Sequence, residues 1–255
     1  MALVVGQPLI GLDYWSVIAS RLSDDMSKIA ILIVVVLIIA AGIYSELQRG
    51  NNLTHTAKRL GLDFSSGLQP VTAELRALDF DLLRQGNENL ANRMWGRRDG
   101  YSIEIFDYSF DATAAGEGFG AHPVADDQVN IERRNQTVVR LQSTATFPDF
   151  DLSPVSGPMR QVASRFAFTP QVLEANRAFG QTYRLLARDA ERCRKLFSPE
   201  VQAFLISHPG LVVEGRGSQL LFYRFGRRLK AKEIPSFVAE VQALIGLLEA
   251  AMEAA

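Results

Sequence analysis

The sequence predicts an α+β protein in which a single N-terminal transmembrane helix precedes a domain of antiparallel hairpins packed on helices. Residues 29–44 carry no charged side chain and are bounded by Lys28 and Glu46. About two hundred residues of ordinary globular composition follow, in which alternating apolar segments and helically spaced apolar segments both occur. This combination is typical of a membrane-anchored protein with one folded domain at the membrane surface.

The apolar segment is long enough to cross a bilayer if the residues before it add one more helical turn. As a helix it rises about 24 Å, at roughly 1.5 Å per residue, whereas the hydrocarbon core is about 30 Å thick. Met26 and Ser27 supply another turn if Lys28 extends its ammonium toward the headgroups. The alternative, a buried strand, would need far more than the usual five or six residues.

We therefore divide the chain into an N-terminal interfacial segment (1–28), a transmembrane helix (29–45), a stalk (46–58) and a soluble α+β domain (59–255). In the first segment Asp13 is placed to cap a short amphipathic helix that contains Trp15. This helix either meets a partner or simply leads into the membrane. Positive residues are slightly more numerous after the span than before it, which favours a cytoplasmic domain.

Charge and cysteine content exclude several classes of function. Residues 45–255 contain equal numbers of basic and acidic side chains, so the domain creates no field that would gather nucleic acid. Cys193 is the one cysteine, which excludes an intramolecular disulfide and a cysteine-rich zinc site.

The first half of the domain is predicted to contain both helix and hairpin. Gly61 ends a helix and a strand follows. The apolar spacing predicts a helix over Pro70–Arg84, and Asp99-Gly100 predicts the turn of a hairpin. The arms of that hairpin and the segments after it are Asn92–Trp95, Tyr101–Phe110, a loop over Asp111–Asn130, a strand over Asn135–Ala145 and an extended crossing over Phe147–Pro154.

The second half is predicted to be mainly helical, with one more hairpin. The helices are Gln171–Ala178, Ala187–Phe197, a helix from Ser198 to His208, and Ile234–Met252. The second hairpin joins Leu211–Glu214 to Gln219–Phe225. Because both hairpins place a Gly-Arg turn before aromatic residues, they represent either an internal duplication or convergent hairpin chemistry.

Several short motifs resemble those of a family of uncharacterised bacterial membrane-anchored proteins. They are Gly61-Leu62-Asp63-Phe64; Gly86 with Asn92, Met94 and Gly96; Ile105-Phe106-Asp107-Tyr108; Gln136-Thr137-Val138-Val139; Pro148, Phe150 and Leu152; Phe197; and Val213-Glu214 with Leu221, Tyr223 and Arg224. The resemblance spans roughly residues 57–250 and departs at Val155, where an acidic residue is expected, and in the longer loop Asp111–Asn130. It implies a single-pass protein of the bacterial inner membrane and brings no activity with it.

No motif predicts a metal, a cofactor or a nucleophile. The glycines at 116, 118 and 120 lack a nearby lysine and precede Asp126-Asp127, which would repel phosphate. Asp107, between two aromatic residues, is interpreted as a buried partner of Arg134 or Arg140, with a catalytic acid as the alternative. Asp149 and Asp151 are predicted to lie on a solvated strand face, opposite Phe150 and Leu152.

The function predicted from these observations is a membrane-tethered protein-interaction module, an accessory or assembly subunit of a membrane complex. Its expected partners are the bilayer and a membrane protein, without nucleic acid and without a cofactor. The expected contact residues are Arg97, Arg98, Arg227, Arg228, Lys230 and Trp15. The alternatives are a membrane-anchored hydrolase that uses Asp107 or His208, and a domain that binds anionic lipid through the basic residues 227–232.

Overall fold

A computed structural model describes residues 12–84, 88–111, 133–156, 168–173 and 176–254. The chain divides into two units, Met1–Arg49 and Gly50–Ala255. Most of the predicted loop Asp111–Asn130, with its three glycines, lies outside the described residues.

The described residues of the first unit belong to helix α1, which runs from Leu12 to Leu60. Neither proline nor glycine occurs between Asp13 and Lys28, and the predicted short helix around Trp15 is therefore the beginning of α1 rather than a separate element. The stretch Lys28–Leu60 has a mean hydropathy of 2.6 in its most apolar window, none of which is buried. Ile38, for example, is 66% exposed. This part of α1 is a candidate membrane span.

The second unit is an α+β domain that begins within the predicted stalk. In the part of the chain that the structure describes, its strands are β1 (Asp63–Gln69), β2 (Asn89–Arg98), β3 (Tyr101–Asp111), β4 (Arg133–Pro154), β5 (Thr169–Gln171), β6 (Tyr183–Ala187) and β7 (Leu211–Arg224). Its helices after α1 are α2 (Ala73–Ala77), α3 (Arg177–Thr182), α4 (Ala190–Leu196), α5 (Pro199–Ser207) and α6 (Ile234–Glu253), with 3₁₀ turns at Leu82–Arg84 and Ala231–Glu233.

The strands form one antiparallel sheet in the order β1-β2-β3-β4-β6-β5, and β7 also pairs with β4. The first half of β4 pairs with β3, and its second half pairs with β6. Strand β7 pairs with both halves: Val138 lies opposite Tyr223, and Leu152 lies opposite Val213. The long strand β4 therefore connects the rest of the sheet.

Apolar side chains are buried on both faces of this sheet. The larger cluster contains the end of α1, through Leu53, Ala57 and Leu60, and the apolar stripe of α6, from Phe237 to Leu248. The end of the predicted stalk thus belongs to the core, since Leu53 and Ala57 are each only 1% exposed. A smaller cluster on the other face is covered by the segment that carries α2 and the first 3₁₀ turn. We name these the large core and the small core.

Several predicted elements are confirmed. Gly61 has a φ of +71° just after α1 ends, and Asp99 and Gly100, with φ of +49° and +89°, form the turn between β2 and β3. Such a pair of left-handed residues suits a tight hairpin, because its twist matches that of the strands. Ser198 caps α5 by accepting a hydrogen bond from the backbone N–H of Val201 at 3.4 Å.

Other predicted elements are wrong. The helix predicted over Pro70–Arg84 consists of α2 and a 3₁₀ turn, with Asp79 at a φ of +61° between them. The helix predicted over Gln171–Ala178 is absent from the described residues of that segment, where β5 and then α3 occur. Asn135–Ala145 and the crossing Phe147–Pro154 are one strand, β4.

The second predicted hairpin does not form, because the strand β7 continues through its glycines. Gly215 lies opposite Phe150 of β4, and Gly217 lies opposite Phe147. The guanidinium of Arg216 donates to the carbonyl oxygens of Phe150 at 2.8 Å and Asp79 at 3.2 Å, so it is held against the domain. An internal duplication would require this second hairpin, and a duplication is not shown.

The packing of Phe150 on Gly215 makes a testable prediction. A Cβ atom at residue 215 would lie 2.8 Å from Phe150 Cδ1 and closer still to Cε1. Because Phe150 is fully buried and cannot easily move, we expect Gly215→Ala to lower the free energy of unfolding by about 1–3 kcal/mol.

The matched control is Gly246→Ala in α6, where the added methyl group would meet no atom within 4 Å. This change should raise the free energy of unfolding by about 0.5–1 kcal/mol, as expected for an open helical site. Both are measured by chemical denaturation. Equal stability of the Gly215→Ala variant and the parent would contradict the packing described.

Candidate functional site

The turn between β2 and β3 carries two of the predicted contact residues in different roles. Arg97 is exposed, and its Nη2 donates a long 3.4 Å hydrogen bond to the carbonyl oxygen of Gly100. Arg98 is half-buried, and its Nη1 donates to the carbonyl oxygen of Leu60 at 3.0 Å. This second contact satisfies a carbonyl at the end of α1, which has no partner within the helix itself. Arg97 is therefore available to a partner, whereas Arg98 fastens the turn to α1.

The predicted contact residues in the basic stretch after β7 also differ in exposure. Arg228 is half-buried and its Nε lies 3.1 Å from Asp107 Oδ2, whereas Arg227 is exposed and its Nη2 lies 3.1 Å from Glu233 Oε1. Lys230 is exposed, and its backbone N–H donates to Glu233 at 2.7 Å.

The structure brings these two sequence-distant stretches to the same end of α1. Arg98 contacts Leu60, and Thr56, one turn earlier, donates from its hydroxyl to the carbonyl oxygen of Ala231 at 3.3 Å. Between them on α1 lie two exposed basic residues, Lys58 and Arg59. We call the exposed basic residues here the basic surface; they are Lys58, Arg59, Arg97, Arg227, Lys230 and Lys232. Trp15 belongs to the first unit, and the structure gives no description of its side chain.

Asp107 is buried as predicted, but its ion-pair partner is Arg228 rather than Arg134 or Arg140. In the sheet, Arg134 lies opposite Phe110 and Arg140 lies opposite Glu104, so the register keeps both away from it. The carboxylate accepts from the Asn92 amide at 3.0 Å and from the Thr137 hydroxyl at 2.9 Å, as well as from Arg228. Asp107 thus ties β2, β3, β4 and the basic stretch together.

A second buried carboxylate, Glu214, is not predicted from the sequence. It accepts hydrogen bonds from the backbone N–H groups of Asp81 at 2.6 Å and Leu82 at 3.3 Å, and from the Tyr223 hydroxyl at 2.9 Å. Glu214 therefore attaches the first 3₁₀ turn, which covers the small core, to strand β7. The signal that could have indicated it is a glutamate directly after the apolar residues 211–213, which is unusual in a two-sided buried strand.

Asp151, predicted to be solvated, is fully buried and lies directly opposite Glu214. The prediction assumed that only the Phe150 and Leu152 face of this segment is covered. Because β4 has β6 on one edge and β7 on the other at residues 150–152, and both faces are covered there, the polar Asp151 is buried too.

The role of Glu214 can be tested by truncation. In Glu214→Ala, the buried donors of Asp81, Leu82 and Tyr223 lose their acceptor, and we expect the free energy of unfolding to fall by about 3 kcal/mol. Glu191→Ala is the control, since Glu191 is 80% exposed and pairs with Lys195 within one helix; it should change stability by less than about 0.5 kcal/mol. Equal effects of the two substitutions in urea unfolding would contradict a bracing role for Glu214.

His208 and Cys193 are both engaged within the domain. The His208 ring stacks on Phe204 with centroids 4.0 Å apart, and its Nδ1 lies 2.8 Å from the Phe204 carbonyl oxygen. Burial, and secondarily Asp189, raises the pKa of the Cys193 thiol to about 12, although Arg192 acts in the opposite direction. Among the described residues, no group of three His, Cys, Asp or Glu side chains is placed to hold a metal ion.

The raised pKa of Cys193 predicts that this thiol reacts only when the domain opens. At pH 8 an exposed cysteine is partly ionised, whereas a thiol whose pKa is raised to about 12 stays almost entirely protonated. We expect iodoacetamide to modify the folded chain at least about a hundred times more slowly than the chain in guanidinium, as followed by mass spectrometry. Equal rates in the two conditions would show that Cys193 is not buried.

Comparison with known proteins gives one informative likeness. No protein-family model matches the chain, and no curated protein matches it. The crystal structure of the mycobacterial trehalose monomycolate transport factor A, TtfA, is similar to this chain with a TM-score of 0.55. The match covers 78% of this chain and 93% of TtfA at 12% sequence identity. At that identity the likeness shows a shared fold.

Proposed function

We propose that this chain is a membrane-tethered interaction module, an accessory subunit of a membrane complex that transports an amphiphilic molecule. The observation that carries the proposal is the dual role of α1. The helix presents an exposed apolar stretch over residues 29–44 and ends with Leu53, Ala57 and Leu60 in the large core. A domain built around the end of its own anchor is suited to a fixed position beside a membrane partner.

The likeness to TtfA supports the transport part of this proposal. That protein is a trehalose monomycolate transport factor, and it shares the fold over 93% of its length. The cytoplasmic side and the bacterial inner membrane remain predictions from charge distribution and from the family resemblance.

The basic surface is the proposed contact with the partner. Its exposed arginines and lysines come from α1, from the β2–β3 turn and from the stretch after β7, so it exists only in the folded domain. Charged groups at the rim of an interface act mainly on the rate and specificity of association. Arg98 and Arg228 are proposed to hold this surface in shape, because each is bonded to a group of the domain.

The arrangement of the acids supports a binding role over a hydrolase. Asp107 accepts hydrogen bonds from three side chains of the domain, and the Nδ1 atom of His208 lies against a carbonyl oxygen of its own helix.

Anionic lipid is the second candidate for the basic surface, at about 1 kcal/mol for each contacting charge.

The proposal is tested by purifying the tagged full chain from native membranes in mild detergent. A stoichiometric membrane-protein partner should copurify with the parent. The double reversal Arg97→Glu/Lys230→Glu should reduce its yield about tenfold, since two favourable charges become repulsive. Arg194→Glu is the matched control, because Arg194 is exposed on α4 and lies outside the basic surface.

Equal partner yields from the double reversal and the control would contradict the assignment of the basic surface. Recovery of the parent without any partner would contradict the accessory-subunit proposal. Capture of anionic vesicles by the parent, reversed by salt and abolished by the double reversal, would favour lipid as its ligand.

A further inference from the structure

A cavity of about 350 Å³ opens on the small-core face of the sheet, beside α2. Its volume falls within the range of small-molecule sites. One wall is apolar, with Leu75 and Leu90 almost fully buried and Leu78 partly exposed. The polar part of the lining includes Arg93, Glu104 and Arg140, which we call the polar wall. None of these residues belongs to the basic surface.

The polar wall is an Arg–Glu–Arg triad. Glu104 is only 4% exposed, and its Oε1 accepts from Arg93 Nε while its Oε2 lies 2.7 Å from Arg140 Nε and 2.6 Å from Arg140 Nη2. Arg140 also donates from Nη1 to the amide oxygen of Gln219 at 3.0 Å. Two guanidinium groups share one carboxylate, and the triad therefore carries a net charge of +1.

A β-bulge brings Arg93 to this wall. Ala91 lies opposite Asp107 and Met94 lies opposite Ile105, so Asn92 and Arg93 together face a single residue of β3. The extra residue reverses the alternation of β2: Leu90 lies in the small core, and Met94 lies in the large core. Arg93 consequently shares a face with Leu90, which regular alternation would forbid.

The bulge has a conformational cost that points to a use. Asn92 has a φ of +52°, a left-handed conformation that costs a non-glycine residue of order 1 kcal/mol. An ion triad around a buried carboxylate is itself weak support for stability, because well-packed apolar residues of similar volume serve as well or better. Both features are explained if the wall exists to hold positive charge beside an apolar surface.

The donors of Arg93 are suited to an external anion. Its Nε donates a hydrogen bond to Glu104, and its guanidinium carbon lies 5.1 Å from the centre of the Trp95 ring. Within the described residues, its two Nη groups make no hydrogen bond to the protein. The side chain is 34% exposed, so these donors are accessible. Glu74 also lines the cavity, but it is exposed, and solvent screens its charge.

We propose that this cavity binds a small single-chain amphiphile with an anionic head group. The carboxylate or phosphate head accepts hydrogen bonds from Arg93 and Arg140 and neutralises the excess charge of the triad. The apolar chain packs against Leu75, Leu78 and Leu90. The proposal does not depend on the membrane tether or on a protein partner.

The experiment uses the full chain in zwitterionic nanodiscs, with Trp15→Phe so that Trp95 is the remaining tryptophan fluorophore. Hexyl phosphate is titrated as the probe, and hexanol and inorganic phosphate serve as controls for the chain and the head. We expect a saturable change in Trp95 emission with hexyl phosphate, at concentrations at least about tenfold below those needed for either control.

Arg93→Gln should weaken hexyl phosphate binding at least about tenfold, while Arg140 still neutralises Glu104. Arg133→Gln is the matched control, since Arg133 is exposed at the start of β4 and pairs with Asp111. Leu78→Glu is a second variant, which places a negative charge on the apolar wall without altering the triad. Thermal melting verifies that each variant is folded.

Three outcomes would overturn the proposal: equal responses to hexyl phosphate and hexanol, equal responses to hexyl phosphate and inorganic phosphate, or unchanged binding in folded Arg93→Gln. The partner copurification experiment reads out a different surface, so either proposal can fail without the other.

Discussion

The structure depends on the pairing of the long strand β4 with three other strands along both of its halves. Where β4 is buried, its backbone groups must find hydrogen-bond partners within the sheet. Strands β3 and β6 share one edge of β4, and β7 occupies the other along both halves. This requirement explains why β7 continues through Gly215 instead of turning. Glycine occurs at this position because only a residue without Cβ leaves room for the Phe150 ring on the neighbouring strand.

Burial within the sheet also determines where charge is tolerated. Glu214 is buried because two backbone N–H groups and a tyrosine hydroxyl supply it with donors. Asp107 is buried on the same principle, with Arg228 as its counter-ion. These carboxylates brace segments that lie far apart in sequence, which accounts for their positions without assigning them catalysis.

The sequence predicts much of the fold and less of the proposed sites. Local signals sufficed for the apolar segment of α1, the Asp99-Gly100 turn and the cap at Ser198, since each depends on neighbouring residues only. Gly215–Gly217 misled the prediction, because glycine marks a turn in most sequences and a cross-strand aromatic contact is not visible locally. Asp151 was misplaced for a similar reason: its burial depends on β6 and β7, which are distant in sequence. The ion-pair partner of Asp107 and the reversed alternation of β2 at Asn92 depend on the register between strands. That register is set by how the strands pair, which is not visible in the local sequence.

The role proposed for α1 is both to anchor the chain in a membrane and to complete the core of the domain. Alkaline carbonate extraction of native membranes tests this most directly, with the full chain compared with a variant that carries Ile33→Lys and Leu37→Lys. Both residues are exposed in α1 and lie within the apolar stretch, so the folded domain should not be affected. We expect the parent in the membrane pellet and the variant, still folded by its melting transition, in the supernatant. Release of the parent with the soluble proteins would contradict the account.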